Sequence, residues 1–267
     1  MVSVYSANLA YHEKVTMNSD LQLALELADT SDAITTHFFQ SMTLGVRTKS
    51  DRTPVSEADE AVERAIRERL ARERPDDGIV GEEFGASDGA RRWIIDPIDA
   101  TRNYIRGIPV FATLIGLESE GRIVAGVVSA PGMARRWWAM AGEGAYCNGR
   151  RIHVSAVSRI ADAHLSYDSI TDFDKAAMGE RFLALARSCS RTRAFGDFWS
   201  YMLVAEGAID IAVEPEVAYW DMAPISIIVD EAGGRFTDLN GNPRADGGSG
   251  VATNGVLHGE VLRALSE

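Results

Sequence analysis

The spacing of apolar residues divides the chain into two kinds of territory. From Ser19 to about Gln40, Leu21, Leu25, Ala28, Ile34 and Phe38 recur at roughly helical intervals and predict a first helix. A second helix is better marked. Ala58, Val62, Ala65, Ile66 and Leu70 make one apolar face, Pro75 lies beyond the end, and Ser56 with Asp59 resembles a capping box, with Asp in place of the usual Glu. The character then changes. The runs "VFATLIGLES", "RIVAGVVSAP" and "RRWWAMAG" read as strands, and the short turns "EGR" and "PGMA" between them favour an antiparallel meander. Trp137 and Trp138 alternate across the last of these, so one ring is expected on each face, for core packing or a dimer contact. Beyond Arg150 the pattern is mixed. It predicts a helix from Phe173 to Ser188, another from Phe198 to Glu206, a strand at "AIDIAVEP", and a helix after Asp221 that stops at Gly233-Gly234. The expectation is an α/β (α+β) chain in two interlocked halves. An antiparallel sheet fills 19–150, an α/β half fills 151–267, and a loosely ordered extension over 1–18 precedes them, with Met17 as an alternative start.

Composition adds exclusions. At 267 residues the chain can bury a large core, and 46% hydrophobic with 25% charged residues is ordinary for a globular protein. It has no apolar run of about 18 residues, and its N-terminus lacks a basic segment followed by a continuous apolar one. No membrane partner is expected, and the compartment expected is the cytoplasm. A formal charge of -12 argues against a nucleic-acid partner. An anionic substrate would therefore have to be attracted by a local device. Cys147 and Cys189 stand in no metal-like or redox-like spacing and read as reduced thiols. The five histidines have no ligand spacing and read as structural or surface residues. "GEGAYCNG" lacks the third glycine and following helix of a dinucleotide loop and reads as a hairpin turn.

The chemistry gathers where apolar runs end. In "RRWIIDPIDATRNYIRG" an apolar strand feeds into Asp96 and Asp99, two carboxylates that repel each other and are costly to bury. "IVGEEFG" places Glu82 and Glu83 after a short strand, "YWDMAPISII" places Asp221 at a helix start, and "KSDRTPVSEAD" offers Lys49, Asp51, Thr53 and Asp59. Each has a plainer reading. Glu-Glu in a loop is usually solvated, Asp221 alone would be a helix N-cap, and Asp-Pro-Ile-Asp would be a turn. Three strand-end or helix-start segments that each close on carboxylate favour a divalent cation instead. Hard oxygen ligands in that number suit Mg²⁺, and neither HExxH nor paired cysteines offers a zinc site. If "TRNYIRG" starts a short helix, the N–H groups of Ala100 and Thr101 would face an anion.

The segments "GEEFG", "WIIDPIDATRNY" and "WDMAPISIIVDEAGG" resemble the signatures of the inositol monophosphatase-like family of Mg²⁺-dependent phosphatases, and the likeness runs over nearly the whole chain from about Ser19. Within it, "SAPGMARRWWA", "RAFGDFWSYMLVAEGAIDIAVEPEV" and "VATNG" most resemble the histidinol-phosphate phosphatases of actinobacterial type. The resemblance implies a layered α/β/α/β/α fold of the inositol monophosphatase and fructose-1,6-bisphosphatase kind, often dimeric. It implies two or three Mg²⁺ per active site, with Mn²⁺ as an alternative, held by Glu82, Asp96, Asp99, Asp221 and the Ile98 carbonyl. Thr101, paired with Asp59, and Glu82 match groups that orient and activate the attacking water, which would strike phosphorus in line with no phospho-enzyme. Asp99, Ala100, Thr101 and Asp221 would also meet the substrate. One position departs from the family, which normally has Gly where this chain has Ala100. A positive φ there would cost alanine about 1–2 kcal/mol, and the methyl would sit near the phosphate.

The expected substrate is a small phosphorylated metabolite, L-histidinol phosphate. Its cationic alcohol calls for carboxylates: Glu214 matches the family position that contacts the alcohol, Asp197 in the histidinol-phosphatase-like segment is the second candidate, and Arg193 matches a recurrent family arginine that shapes the pocket. Asp197 also reads as an N-cap for the helix that follows. The alternatives are a phosphatase for inositol phosphate or another small sugar or alcohol phosphate, or a degenerate paralogue that binds metal or ligand without turnover.

Overall fold

The computed structural model describes residues 18–41, 45–48 and 54–266. Almost all of the N-terminal extension, and Lys49, Asp51 and Thr53, lie outside the described residues. The first half runs α1 (Ser19–Phe38), β1 (Val46–Thr48), β2 (Pro54–Ser56), α2 (Glu57–Glu73), β3 (Gly78–Gly81), β4 (Gly85–Ser87), β5 (Arg91–Asp99), α3 (Thr101–Ile105), β6 (Ala112–Ser119), β7 (Arg122–Ala130), β8 (Arg135–Met140), β9 (Gly144–Cys147) and β10 (Arg150–Arg151). The second runs β11 (His164–Ser166), α4 (Ile170–Lys175), α5 (Gly179–Ser188), β12 (Arg191–Arg193), α6 (Asp197–Ala205), β13 (Ile211–Glu214), α7 (Tyr219–Glu231), β14 (Arg235–Thr237), β15 (Gly250–Thr253) and α8 (His258–Ser266).

Side-chain alternation stacks these elements in five layers. An eight-stranded sheet has the order β10-β9-β8-β7-β6-β5-β3-β4, with β5 to β8 forming the expected antiparallel meander and β3 parallel to β5. Along β5, Trp93 and Ile95 point to one face and meet Leu27 of α1 and Val62 and Ile66 of α2. Ile94 points the other way, into a core shared with Tyr201 of α6 and Ile225 and Ile228 of α7. Trp137 joins this second core while Trp138 lies on the opposite face, stacked on Tyr146. Beyond α6 and α7 lies a five-stranded sheet, β12-β11-β13-β15-β14, which contributes Ala212, Phe236 and Ala252 to the same core. Its outer face packs Ile211, Val213 and Val251 against Phe182 and Leu185 of α5 and Val261 and Leu265 of α8. The result is the α/β/α/β/α arrangement. Burial outweighs local signals here. Val62, Ile66 and Leu70 of α2 are each worth about 1.5–3 kcal/mol when buried, against about 1 kcal/mol for a cap.

Two helices differ from expectation. The segment expected as one helix from Phe173 to Ser188 is two, α4 and α5, broken where Ala177 takes a left-handed φ of 56°. Nine residues at about 100° each would put Phe173 and Phe182 on opposite faces of a continuous helix. The break lets both rings enter one core and stack with centroids 3.7 Å apart. α7 begins at Tyr219, so Asp221 sits inside its first turn rather than at its cap, and its Oδ2 accepts from the Ala218 N–H at 2.8 Å.

α7 lies unusually close to the first sheet. Gly116 on β6 and Gly126 on β7 are cross-strand partners. A Cβ on Gly126 would fall 2.6 Å from the Pro224 carbonyl oxygen, and one on Gly116 would fall 3.2 Å from the Ala223 Cβ. These two bare positions let α7 rest on the sheet at Ala223 and Pro224, directly after the first turn, which carries Asp221.

Candidate active site

The puzzle of Asp96 and Asp99 is solved by a bulge. Three residues apart on a regular strand, the two would face opposite sides. Pro97 has no N–H for the ladder, and the pairing of β5 with β6 slips between Asp96 and Asp99. The freed Pro97 carbonyl accepts the Thr113 hydroxyl at 2.7 Å, and Asp96 Oδ1 accepts the Ile98 N–H at 3.0 Å. Carboxylate oxygens of Asp96, Asp99 and Asp221 then lie within 4.8 Å of one another.

None of these three pairs with an arginine or lysine among the described residues. Burial, then the charges of Glu82, Asp99 and Asp221, pushes the Asp96 pKa well up. Burial, with Asp197 and Asp221 adding repulsion, does the same to Asp99. Asp221 is pushed to about 7 by burial, against the pull of its Ala218 N–H bond. Such a set of hard oxygens fits a divalent cation, which would supply the missing positive charge.

Around this cluster the first half adds Glu82 and Asp59. Glu82 follows β3, its N–H donating to the Ile95 carbonyl at 3.2 Å, and its charge bears on Asp96, Asp59 and Asp221. Asp59 completes the capping box: its Oδ2 accepts from Ser56 N at 2.8 Å and Ser56 Oγ at 2.5 Å. Its buried Oδ1 has no hydrogen-bond partner, and burial raises its pKa to about 6. The expected Thr101–Asp59 pair is not formed. Thr101 Oγ1 donates to the Ile98 carbonyl at 2.9 Å, a bond local to the turn that closes the bulge. Ala100 stands at the N-terminus of α3 with φ 64° and ψ 43°, the left-handed geometry that the glycine of the signature would take freely.

The second half supplies a wall of carboxylates. β11, β12 and β13 run parallel, and each leads at its C-terminal end to an acid: Asp168, Asp197 and Glu214. Ligands of open α/β sheets gather at that edge. Glu214 is buried, its Oε1 has no partner, and burial together with Asp197 and Asp168 raises its pKa well above the usual range. Asp197 is pushed to about 7 by burial and by Asp168 and Asp221, with Arg102 opposing. Asp168 lies exposed at the rim, where its Oδ1 would be 2.7 Å from a Cβ on Gly196. Sequence reasoning missed Asp168. Its one signal is the rule that found the others, a carboxylate after a strand, and a three-residue strand is too short to show a pattern.

Two further expectations change. Asp197 is not the N-cap of α6. It is the first helical residue, with φ 47°, and the Phe198 N–H is taken instead by Asp99 Oδ2 at 2.8 Å. A carboxylate of the first half thus caps a helix of the second. Arg193 lies on the exposed edge strand β12, where its Nη1 donates to the Thr192 carbonyl, and it forms no ion pair with the carboxylates. It lines a groove with Leu165, Phe195, Leu203 and Ile209.

Comparison with known proteins fits this constellation. The chain matches the inositol monophosphatase family over residues 17–267. It belongs to that family. A histidinol-phosphatase of Mycobacterium tuberculosis is 50% identical over 256 residues, 93% of this chain and 98% of that protein. One of Streptomyces coelicolor is 50% identical over 258 residues, 93% of this chain and 97% of that protein. Among solved structures, an inositol monophosphatase from Zymomonas mobilis superposes with a TM-score of 0.83 at 34% identity, covering 93% of this chain and 98% of that one. In this family member no described helix is long and apolar enough to cross a membrane.

Proposed function

We propose that the protein is a Mg²⁺-dependent phosphomonoesterase that hydrolyses L-histidinol phosphate to L-histidinol and phosphate, a step of histidine biosynthesis in the cytoplasm. The observation that carries the substrate is the acidic wall of Asp168, Asp197 and Glu214 beside the metal-type cluster. A neutral polyol needs no such charge, whereas an alcohol bearing an ammonium and an imidazole does. The 50% identity to two histidinol-phosphatases supports the same reading.

Asp96, Asp99, Asp221, Glu82 and the Ile98 carbonyl would hold two or three Mg²⁺, with Mn²⁺ as a substitute. Bound there, the ions would lower the pKa of water and neutralise charge on the phosphoryl and leaving oxygens. The chain's own groups do the rest. N–H groups of Ala100 and Thr101 face the phosphate, and Glu82 with Asp59 Oδ1 accepts the proton of the attacking water. Water oxygen bonds to phosphorus as the bond to the histidinol oxygen breaks, with no enzyme ester between. Glu214 and Asp197 receive the cationic alcohol, and Asp168 guards its entrance. The groove beside β12, with its unpaired strand edge and apolar Leu165, Phe195, Leu203 and Ile209, supports a homodimer contact that includes Arg193.

Phosphate release from histidinol phosphate, inositol 1-phosphate and fructose 1,6-bisphosphate, each with Mg²⁺ and with EDTA, tests the reading. A strong, EDTA-sensitive preference for histidinol phosphate is expected. Preference for another ester keeps the chemistry and removes the substrate. Silence across the panel with Mg²⁺ binding intact indicates a binding paralogue.

A further inference from the structure

One helical turn after Asp59, α2 places a second carboxylate, Glu63, with no exposed surface. Burying it is costly unless every oxygen is used, and here both are. Oε2 accepts the Glu83 N–H at 2.7 Å, while Oε1 accepts the Phe84 N–H at 3.1 Å and Arg67 Nε at 2.7 Å. Arg67, a further turn along the same face, also donates to the Gly85 carbonyl. The segment 82–85 is thus gripped at three successive residues after Glu82. Gly81 is shaped for the grip: a Cβ there would lie 2.0 Å from Glu63 Oε1. The grip is not needed to dock α2, because Val62, Ile66 and Leu70 already bury its apolar face. The grip fixes the backbone that follows Glu82, while the N–H of Glu82 itself is held by the Ile95 carbonyl.

We propose that Glu63 is a positioning residue that holds Glu82 in its metal- and water-facing place before any metal arrives, by fixing the two N–H groups that follow it. The inference rests on the reading of Glu82 as a metal and water ligand. It gives α2 a single purpose at the site. Asp59 and Glu63 share one face of the helix, about 6 Å apart along its axis, so one rigid rod sets the spacing between Asp59 and the loop of Glu82.

The test uses the full-length protein stripped of metal. Glu63→Gln keeps the shape but turns an amide N–H₂ toward one backbone N–H and loses that bond. Calorimetric titration with Mg²⁺ is expected to show affinity about 10-fold weaker or more, as for other partners behind a metal ligand. At saturating Mg²⁺, KM for the substrate should stay near the wild-type value. Gly81→Ala, which displaces the same carboxylate from the strand side, should weaken Mg²⁺ in parallel. The wild-type protein supplies a readout that needs no variant to fold: the Glu83 and Phe84 amides should resist hydrogen exchange without metal. Fast exchange of both amides overturns the proposal. So does a folded Glu63→Gln protein with a lowered melting temperature but wild-type Mg²⁺ affinity, which would make the role merely structural. A wild-type protein that takes up no Mg²⁺ overturns the metal reading beneath it, and the wild-type titration identifies that failure separately.

Discussion

Ala100 shows how far a single residue can be read. The departure from the family glycine was visible in "DPIDAT", and the αL geometry at φ 64° confirms that the position is one where glycine is at ease. An L-residue there costs about 1–2 kcal/mol, but glycine costs about 0.5–1 kcal/mol in extra unfolded-state entropy. The Ala100 methyl also packs beside Ala58, Ile98 and Tyr104. The terms nearly cancel. Ala100→Gly should therefore raise the melting temperature by less than about 4 °C and leave kcat within about twofold, because the peptide planes already lie where glycine would put them. A tenfold rise in kcat would show instead that the methyl crowds the phosphate. Other residue-level facts were beyond the sequence for one reason: they join distant parts of the chain. Asp99 takes the N–H of Phe198, 99 positions away, and Glu63 takes that of Glu83, 20 away. No local spacing announces either bond. The metal-type carboxylates were legible because each closes a strand or opens a helix, whereas the partner of Thr101 was not.

At the scale of elements, periodicity predicted the meander, α1, α2 and α6 closely, since each buries a continuous face. It failed where a core needed an irregular chain, as at Ala177 between α4 and α5 and at the slip in β5. Both irregularities serve packing or chemistry that the pattern alone does not contain. The seating of α7 on the sheet is a third case, because two glycines in "LIGLES" and "VAGVVS" look like weak strand residues until Pro224 is placed over them. Gly126→Ala tests that seating. Its methyl would press on the Pro224 carbonyl and Ile227, so overpacking should cost about 1–3 kcal/mol and tilt the first turn of α7. Asp221 would move away from Asp96 and Asp99. The expected outcome is a lower melting temperature together with a loss of kcat of about 10-fold or more, as a displacement near 1 Å can cause. A stability loss with kcat intact would show that Asp221 is positioned by something other than this close contact.

The whole molecule carries the cost of gathering so many acids. Asp59 is raised to about 6, and Asp197 and Asp221 to about 7, with Asp96, Asp99 and Glu214 raised as well. In the unfolded chain these groups titrate near 4. From about pH 4 until pH has passed through about 7 the folded, metal-free protein therefore holds more protons than the unfolded one, and its stability falls as pH rises. His258 works the other way at the acid end. Buried against Thr237 and Thr253, its pKa drops to about 4, so it favours folding increasingly as pH rises to about 6.5, and no further. Above about pH 6.5 only the raised carboxylates remain, and the slope should be plain. Thermal melts in EDTA should show the melting temperature falling between about pH 6.5 and 8. The same melts in excess Mg²⁺ should show little fall, because the cation replaces the protons, so the gain from Mg²⁺ widens with pH. Asp221→Asn should shrink the slope in EDTA by removing one of the groups near 7. Melts in EDTA that stay flat or rise across that window would mean the carboxylates are neutralised by the protein itself, and that the cation is not what the cluster lacks.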